Sequence, residues 1–201
     1  MKEKLPEFEL GDEHKIKKED AIFNTSQTPS IIMFNPKYPH NVGAAVRACS
    51  CFDAKTIVFT GSRVSLTPDE GKGGYRLPRE ERMKGYSHIK IINDEYPFNR
   101  FTSDVTPVAV EVRRNAELLP NFIHPENPVY VFGPEDGSLP QLYLKHCKRF
   151  LYIPTPFCTN LAAAIYIVLY DRMCKMMQGN GIVRNQDMKW IEERYMKCGG
   201  I

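Results

Sequence analysis

Charge of one sign is scarce in this sequence: 27 Lys and Arg stand against 24 Asp and Glu over 201 residues, a formal net charge of +3. So small an excess allows a polyanionic partner without demanding one. Long apolar runs are missing too. The longest, Leu161–Tyr170, is about half the length that a membrane-spanning helix requires. The opening stretch MKEKLPEFELGDEHKIKKED has no apolar core of the kind a secretory leader needs. No CxxC and no even framework occurs among the cysteines at 49, 51, 147, 158, 174 and 198, so they read as reduced thiols. These absences point to a soluble protein of the cytoplasm with no membrane partner. Neither GxGxxG nor a P-loop is found, which removes the common dinucleotide and triphosphate cradles.

What is there is ordinary for a globular chain: 42% hydrophobic and 25% charged residues, in a length that suits one domain. Residues 1–29 carry five basic and seven acidic side chains, broken by Pro6, Gly11 and Pro29. They read as an N-terminal extension with a short helix near 15–24. From residue 30 the pattern alternates. Ser30–Phe34, Thr56–Thr60, Ile89–Ile92, Pro107–Val112, Val129–Phe132 and Phe150–Ile153 are short runs rich in Val, Ile and aromatics. Most are continuous rather than alternating, as strands buried on both faces should be. Helical stretches are expected at about 41–53, 79–86, 116–122, 139–147 and 160–178. That order predicts an α/β fold, a parallel sheet flanked by helices, over residues 30–178. Residues 179–201 form a C-terminal extension. Across 172–201, six basic and three acidic side chains are interleaved with Trp190 and Tyr195, which suits either an RNA grip or a helix on a partner subunit.

Three strand-to-helix junctions carry the chemistry. In the first, Asn35–Arg47, two prolines follow a strand and Asn41 is placed to cap the next helix. Gly43, Ala44 and Ala45 keep its first turn slim, and Arg47 lies one and two-thirds turns beyond Asn41. Taken alone this is an ordinary cap with a surface arginine. In the second, the strand Val129–Phe132 runs into Gly133-Pro134-Glu135-Asp136-Gly137, where Pro134 fixes φ and the glycines permit turns and close backbone approach. In the third, Ile153 leads through a Pro-rich loop to Cys158-Thr159-Asn160-Leu161, with Thr159 or Asn160 as the cap of a helix opening on three alanines. A further polar loop, 61–74, follows the second strand on the side where open α/β sheets bind ligands, and residues 63–90 carry seven basic against four acidic side chains.

In this order and each after a strand, Asn41-x-Gly43 with Arg47, then GPEDG, then Ile153-Pro154 followed by Asn160-Leu161 resemble the three motifs of the SpoU (TrmH) family of SPOUT RNA 2′-O-methyltransferases. The resemblance implies a sheet whose C-terminal part is tied in a deep trefoil knot, with S-adenosylmethionine held there by main-chain groups. Gly133, Ile153, Val110, Cys158, Thr159 and Leu161 match cofactor-contacting positions. Asn41, Arg47, Glu135 and Asn160 match the polar positions credited with the substrate ribose and catalysis. No metal is implied. Members typically form homodimers with the active site at the interface. The third motif departs from the family, because Cys158 stands where serine is usual and is a far weaker hydrogen bonder.

The implied reaction is attack of a ribose 2′-oxygen on a sulfonium methyl, so the substrate is RNA. A neutral arginine base is scarce at a pKa above 12, which makes Arg47 a better cation than base. Glu135 is expected to orient Asn41 or Arg47. A tRNA is favoured over rRNA, since only about 29 residues precede the domain; a non-catalytic RNA-binding homologue and an α/β enzyme for another nucleotide-like ligand are the rivals.

Overall fold

A computed structural model of the chain describes residues 23, 25–68, 75–77 and 89–177. The expected strands all form, most shifted by one or two residues: β1 (Ser30–Met33), β2 (Thr56–Phe59), β5 (Lys90–Asn93), β6 (Thr106–Val110), β8 (Pro128–Phe132) and β9 (Arg149–Tyr152). β3 (Thr67–Pro68) and β4 (Tyr75–Arg76) pair antiparallel as a separate ribbon. A short β7 (Glu117–Leu118) completes a sheet ordered β5-β2-β1-β8-β6-β9-β7, parallel throughout.

The continuous apolar runs have the cause that the sequence suggested. On β1, Ile31 and Met33 face α1 (Pro39–Cys51) and α3 (Leu161–Met177), while Ile32 faces the opposite layer. That second layer holds the 3-10 turn Pro97–Arg100 and α2 (Gln141–Leu144). Both faces are covered, so neither needs polar residues. Ala45 and Ala48 on α1 are fully buried in the same core as Ile165 and Val168 of α3.

Three expectations need correction. The helix at 116–122 is replaced by β7 and a 3-10 turn at Leu119–Asn121, because Pro120 has no N–H for a helix interior and Glu117–Leu118 pairs with β9 instead. The helix at 139–147 shrinks to α2: Pro140 caps it, and the chain leaves through i−3 bonds from His146 and Cys147. Asn41 is not a cap, since Pro39 takes the first helical position and Tyr38 the cap. The expected helices near 15–24 and at 79–86, and the extension 179–201, lie outside the described residues.

Two histidines are built into the frame rather than the site. His124, with 3% of its side chain exposed, lies between the Tyr130 hydroxyl (2.6 Å) and the Asp171 carboxylate (2.8 Å). Burial holds its pKa below the usual 6.5, against a smaller opposing pull from Asp171. His146, stacked on Phe98 at 4.8 Å, is lowered by burial as well. The unfolded chain therefore takes up protons near pH 6.5 that the folded chain resists, so stability is present in full above that pH and falls below it. Tm is expected to be lower at about pH 5.5 than at about pH 7.5, and His124→Gln should shrink that drop; a flat Tm across this range would contradict it.

Candidate active site

The three junctions meet at the carboxyl ends of β1, β8 and β9. With Pro39 opening α1, the Asn41 side chain is released from capping and sits 8% exposed in the first turn. Its Nδ2 donates to Glu135 Oε1 at 2.5 Å, and its Oδ1 accepts from Asn160 Nδ2 at 3.2 Å. Asn160, in turn, is the cap of α3: its Oδ1 accepts the Ala163 N–H at 3.2 Å. Glu135 Oε2 accepts the Lys37 N–H at 2.8 Å. One chain of side-chain hydrogen bonds thus ties residues that are 119 and 94 positions apart in sequence. Glu135 contacts Asn41, one of the two partners expected for it. The amide of each asparagine is oriented by its acceptor and donor, and each –NH₂ group carries a second N–H beyond the one used here.

Arg47 lies six residues along α1 from Asn41, about 9 Å of helical rise, and is half-buried. Beside Glu135 opens a cleft of about 530 Å³, a volume suited to a nucleoside-sized ligand. All the expected cofactor residues line it: Val110 from the end of β6, Gly133 after β8, Ile153 after β9, then Cys158, Thr159 and Leu161. Cys158 is an exposed free thiol. The Thr159 hydroxyl lies 3.3 Å from that of Thr155, so the loop's polar contact falls to threonines, not to the cysteine.

Of the two reasons expected for the glycines of the second motif, the left-handed turn does not apply. Neither Gly133 nor Gly137 adopts positive φ, and a Cβ on Gly133 would stand 3.4 Å from the Leu139 nitrogen and 3.5 Å from Glu111 Oε2. The turn itself would accept a side chain. Gly61 is the glycine the backbone requires, with φ +77 and a hypothetical Cβ only 2.4 Å from Asn35 Oδ1.

Sequence reasoning missed Glu111. It ends the β6 run, is half-buried in the cleft wall and accepts the Leu139 N–H at 2.9 Å. The signal was faint: a lone acid closing an otherwise apolar strand, VAVEV. Also unforeseen is Asp136, whose carboxylate takes both Nη atoms of Arg63 at 2.9 and 2.8 Å. The hydrogen bond to Arg63 holds the Asp136 pKa below its usual value and raises that of Arg63.

The sequence profile of the SpoU rRNA Methylase family matches residues 29–170. The chain belongs to that family. Comparison with curated proteins gives no match. Among solved structures, the family fold aligns with the SpoU methyltransferase AviRb from Streptomyces viridochromogenes in complex with AdoMet, at 15% identity and TM-score 0.60. That alignment covers 75% of this chain but only 58% of AviRb, so the chain spans rather more than half of that relative's length. The A. aeolicus TrmH/SpoU tRNA modifying enzyme aligns at 17% identity and TM-score 0.58, over 85% of this chain and 88% of its own. A structure described as giving insights into the 2-OH methylation of C/U34 on tRNA aligns at 20% identity and TM-score 0.59, over 74% and 90%. The seven-stranded parallel sheet flanked by helices is thus the fold that these methyltransferase structures share. Among the described residues, no helix is long and apolar enough to cross a membrane.

Proposed function

We propose that this family member transfers a methyl group from S-adenosylmethionine to a ribose 2′-hydroxyl of RNA. The observation that carries the reading is the Asn160–Asn41–Glu135 chain standing at the edge of the 530 Å³ cleft. The residues fit the cofactor. The cleft is walled by apolar side chains, by Gly133 and Ile153, and by two carboxylates, Glu135, already engaged by Asn41, and Glu111, able to accept from hydroxyl or amine hydrogens. The bound cofactor supplies a methyl group on positively charged sulfur.

The protein's own groups then have distinct tasks. Asn41 and Asn160 each offer a free amide N–H toward a ribose oxygen, and Glu135 keeps Asn41 turned to do so. Arg47 acts as a cation, holding the neighbouring phosphate and stabilising charge that develops on the 2′-oxygen. The hydroxyl proton leaves to phosphate or water, since arginine stays protonated at any working pH. The presence of Asn41, Arg47, Glu135 and Asn160 together favours an enzyme over a binding-only homologue. The tRNA assignment draws support from the two tRNA-linked structures, which align over 85% and 74% of this chain.

Calorimetric titration tests the cofactor half of the reading. S-adenosylmethionine should bind at one site per chain, and absence of heat at high micromolar concentration would remove the cleft from consideration. A homodimer is part of the same proposal, because Ile167, Tyr170 and Met176 leave apolar surface exposed along α3. Light scattering at micromolar concentration should give twice the chain mass; a monomer mass would count against it.

A further inference from the structure

Next to Glu135, the chain gathers a small surface that the methyl-transfer reading does not use. Asp136 holds Arg63 through a two-pronged contact, Nη1 to Oδ1 at 2.9 Å and Nη2 to Oδ2 at 2.8 Å. Lys37 Nζ approaches the same carboxylate at 3.6 Å and lies 5.4 Å from the centre of the Tyr38 ring. That ring is 50% exposed. Its backbone is fixed, however: the Tyr38 carbonyl accepts the Asn41 N–H at 3.0 Å, and the Lys37 N–H is held by Glu135. An exposed aromatic ring with Lys37 beside it is thus carried on the fixed backbone that leads into Asn41.

We propose that Lys37, Tyr38, Arg63 and Asp136 form the surface on which the RNA beside the target ribose docks, with Asp136 occupying the place of an RNA phosphate. The inference rests on the RNA-methyltransferase reading. The planar Arg63 fork grips a carboxylate in the geometry it would use for a phosphate. Asp136 is half-exposed, and an exposed ion pair is held weakly in water, so a phosphate can take its place. Two cations share the Asp136 carboxylate, while the neighbouring Glu135 carboxylate is engaged by Asn41 and the Lys37 N–H. Tyr38 supplies a face for a neighbouring base, a contact that tolerates any base because each has a π-face. In the free protein Asp136 keeps Arg63 extended at the rim; in the complex it is the competitor that RNA must displace.

Competition makes the test one of sign. Binding of fluorescein-labelled unmodified tRNA transcripts and of a labelled oligouridylate is measured by anisotropy over a salt series, with the full chain. Arg63→Ala should weaken binding by roughly tenfold and lower the slope of log affinity against log salt by about one. Asp136→Asn should do the reverse and tighten binding several-fold. Tyr38→Ala should weaken binding by roughly tenfold with the slope unchanged, and Tyr38→Phe should restore it. S-adenosylmethionine affinity and Tm, measured on each variant, should stay at the wild-type values. Weaker binding in Asp136→Asn, or an unchanged slope in Arg63→Ala, would overturn the proposal. A wild-type protein that binds S-adenosylmethionine but neither RNA would overturn the RNA reading and this surface together. Wild-type binding that all the variants share would overturn the surface alone.

Discussion

Arg47→Ala is expected to slow methyl transfer by roughly two to three orders of magnitude while S-adenosylmethionine still binds normally. The size follows from the role: a donor aimed at developing oxyanion charge contributes about 3–4 kcal/mol in the transition state and little before it. Arg47 lies on α1 well along from Asn41 and does not line the cleft, so cofactor affinity should be untouched. Arg47→Lys keeps the charge but loses the planar fork, and should recover only part of the rate. Single-turnover kinetics with saturating cofactor would measure both variants. Full activity in Arg47→Ala would remove the residue from the reaction, and loss of cofactor binding would move it into the pocket.

Gly133→Val should abolish detectable cofactor binding, a loss of at least about a hundredfold, while leaving a folded protein. The two halves of that expectation have separate grounds. A Cβ at this position meets Leu139 and Glu111 at 3.4–3.6 Å, ordinary contact distances, so the backbone does not forbid a side chain. The added methyl groups must then project between the Glu111 carboxylate and the cleft, where the ligand's close approach to main chain would occur. Gly133→Ala should fall between, with a several-fold loss. Calorimetry beside a thermal melt separates the effects: wild-type affinity in Gly133→Val would remove the second motif from the pocket, whereas a collapsed Tm would make the glycine structural.

Much of the fold was legible because two-sided burial writes itself as unbroken apolar strands. SIIM, TIVF and PVYVF are buried at every position, and each was found from its composition. The failures cluster where proline changes local geometry. Pro120 turns an expected helix into a strand and a 3-10 turn, Pro140 shortens α2, and Pro39 starts α1 early enough to free Asn41. That last error hid the most informative contact. As a cap, Asn41 would have spent its oxygen on backbone N–H groups; as a first-turn residue it links Glu135 and Asn160 instead. The motifs named the participants, but the links among residues 41, 135 and 160 depend on β8 inserting beside β1, a non-local pairing that no periodicity encodes. Asp136 and Glu111 were invisible for a related reason, since their partners Arg63 and Leu139 lie 73 and 28 residues away.

The central claim is the chemical outcome, and nucleoside mass spectrometry tests it most directly. Unmodified RNA from cells lacking this protein would be incubated with it and S-adenosylmethionine carrying a deuterated methyl group, then digested to nucleosides. The account predicts the label in a 2′-O-methylated nucleoside of the tRNA fraction, with the mass shift retained on the ribose fragment. Label on a base, or none in any RNA while the cofactor still binds, would contradict it.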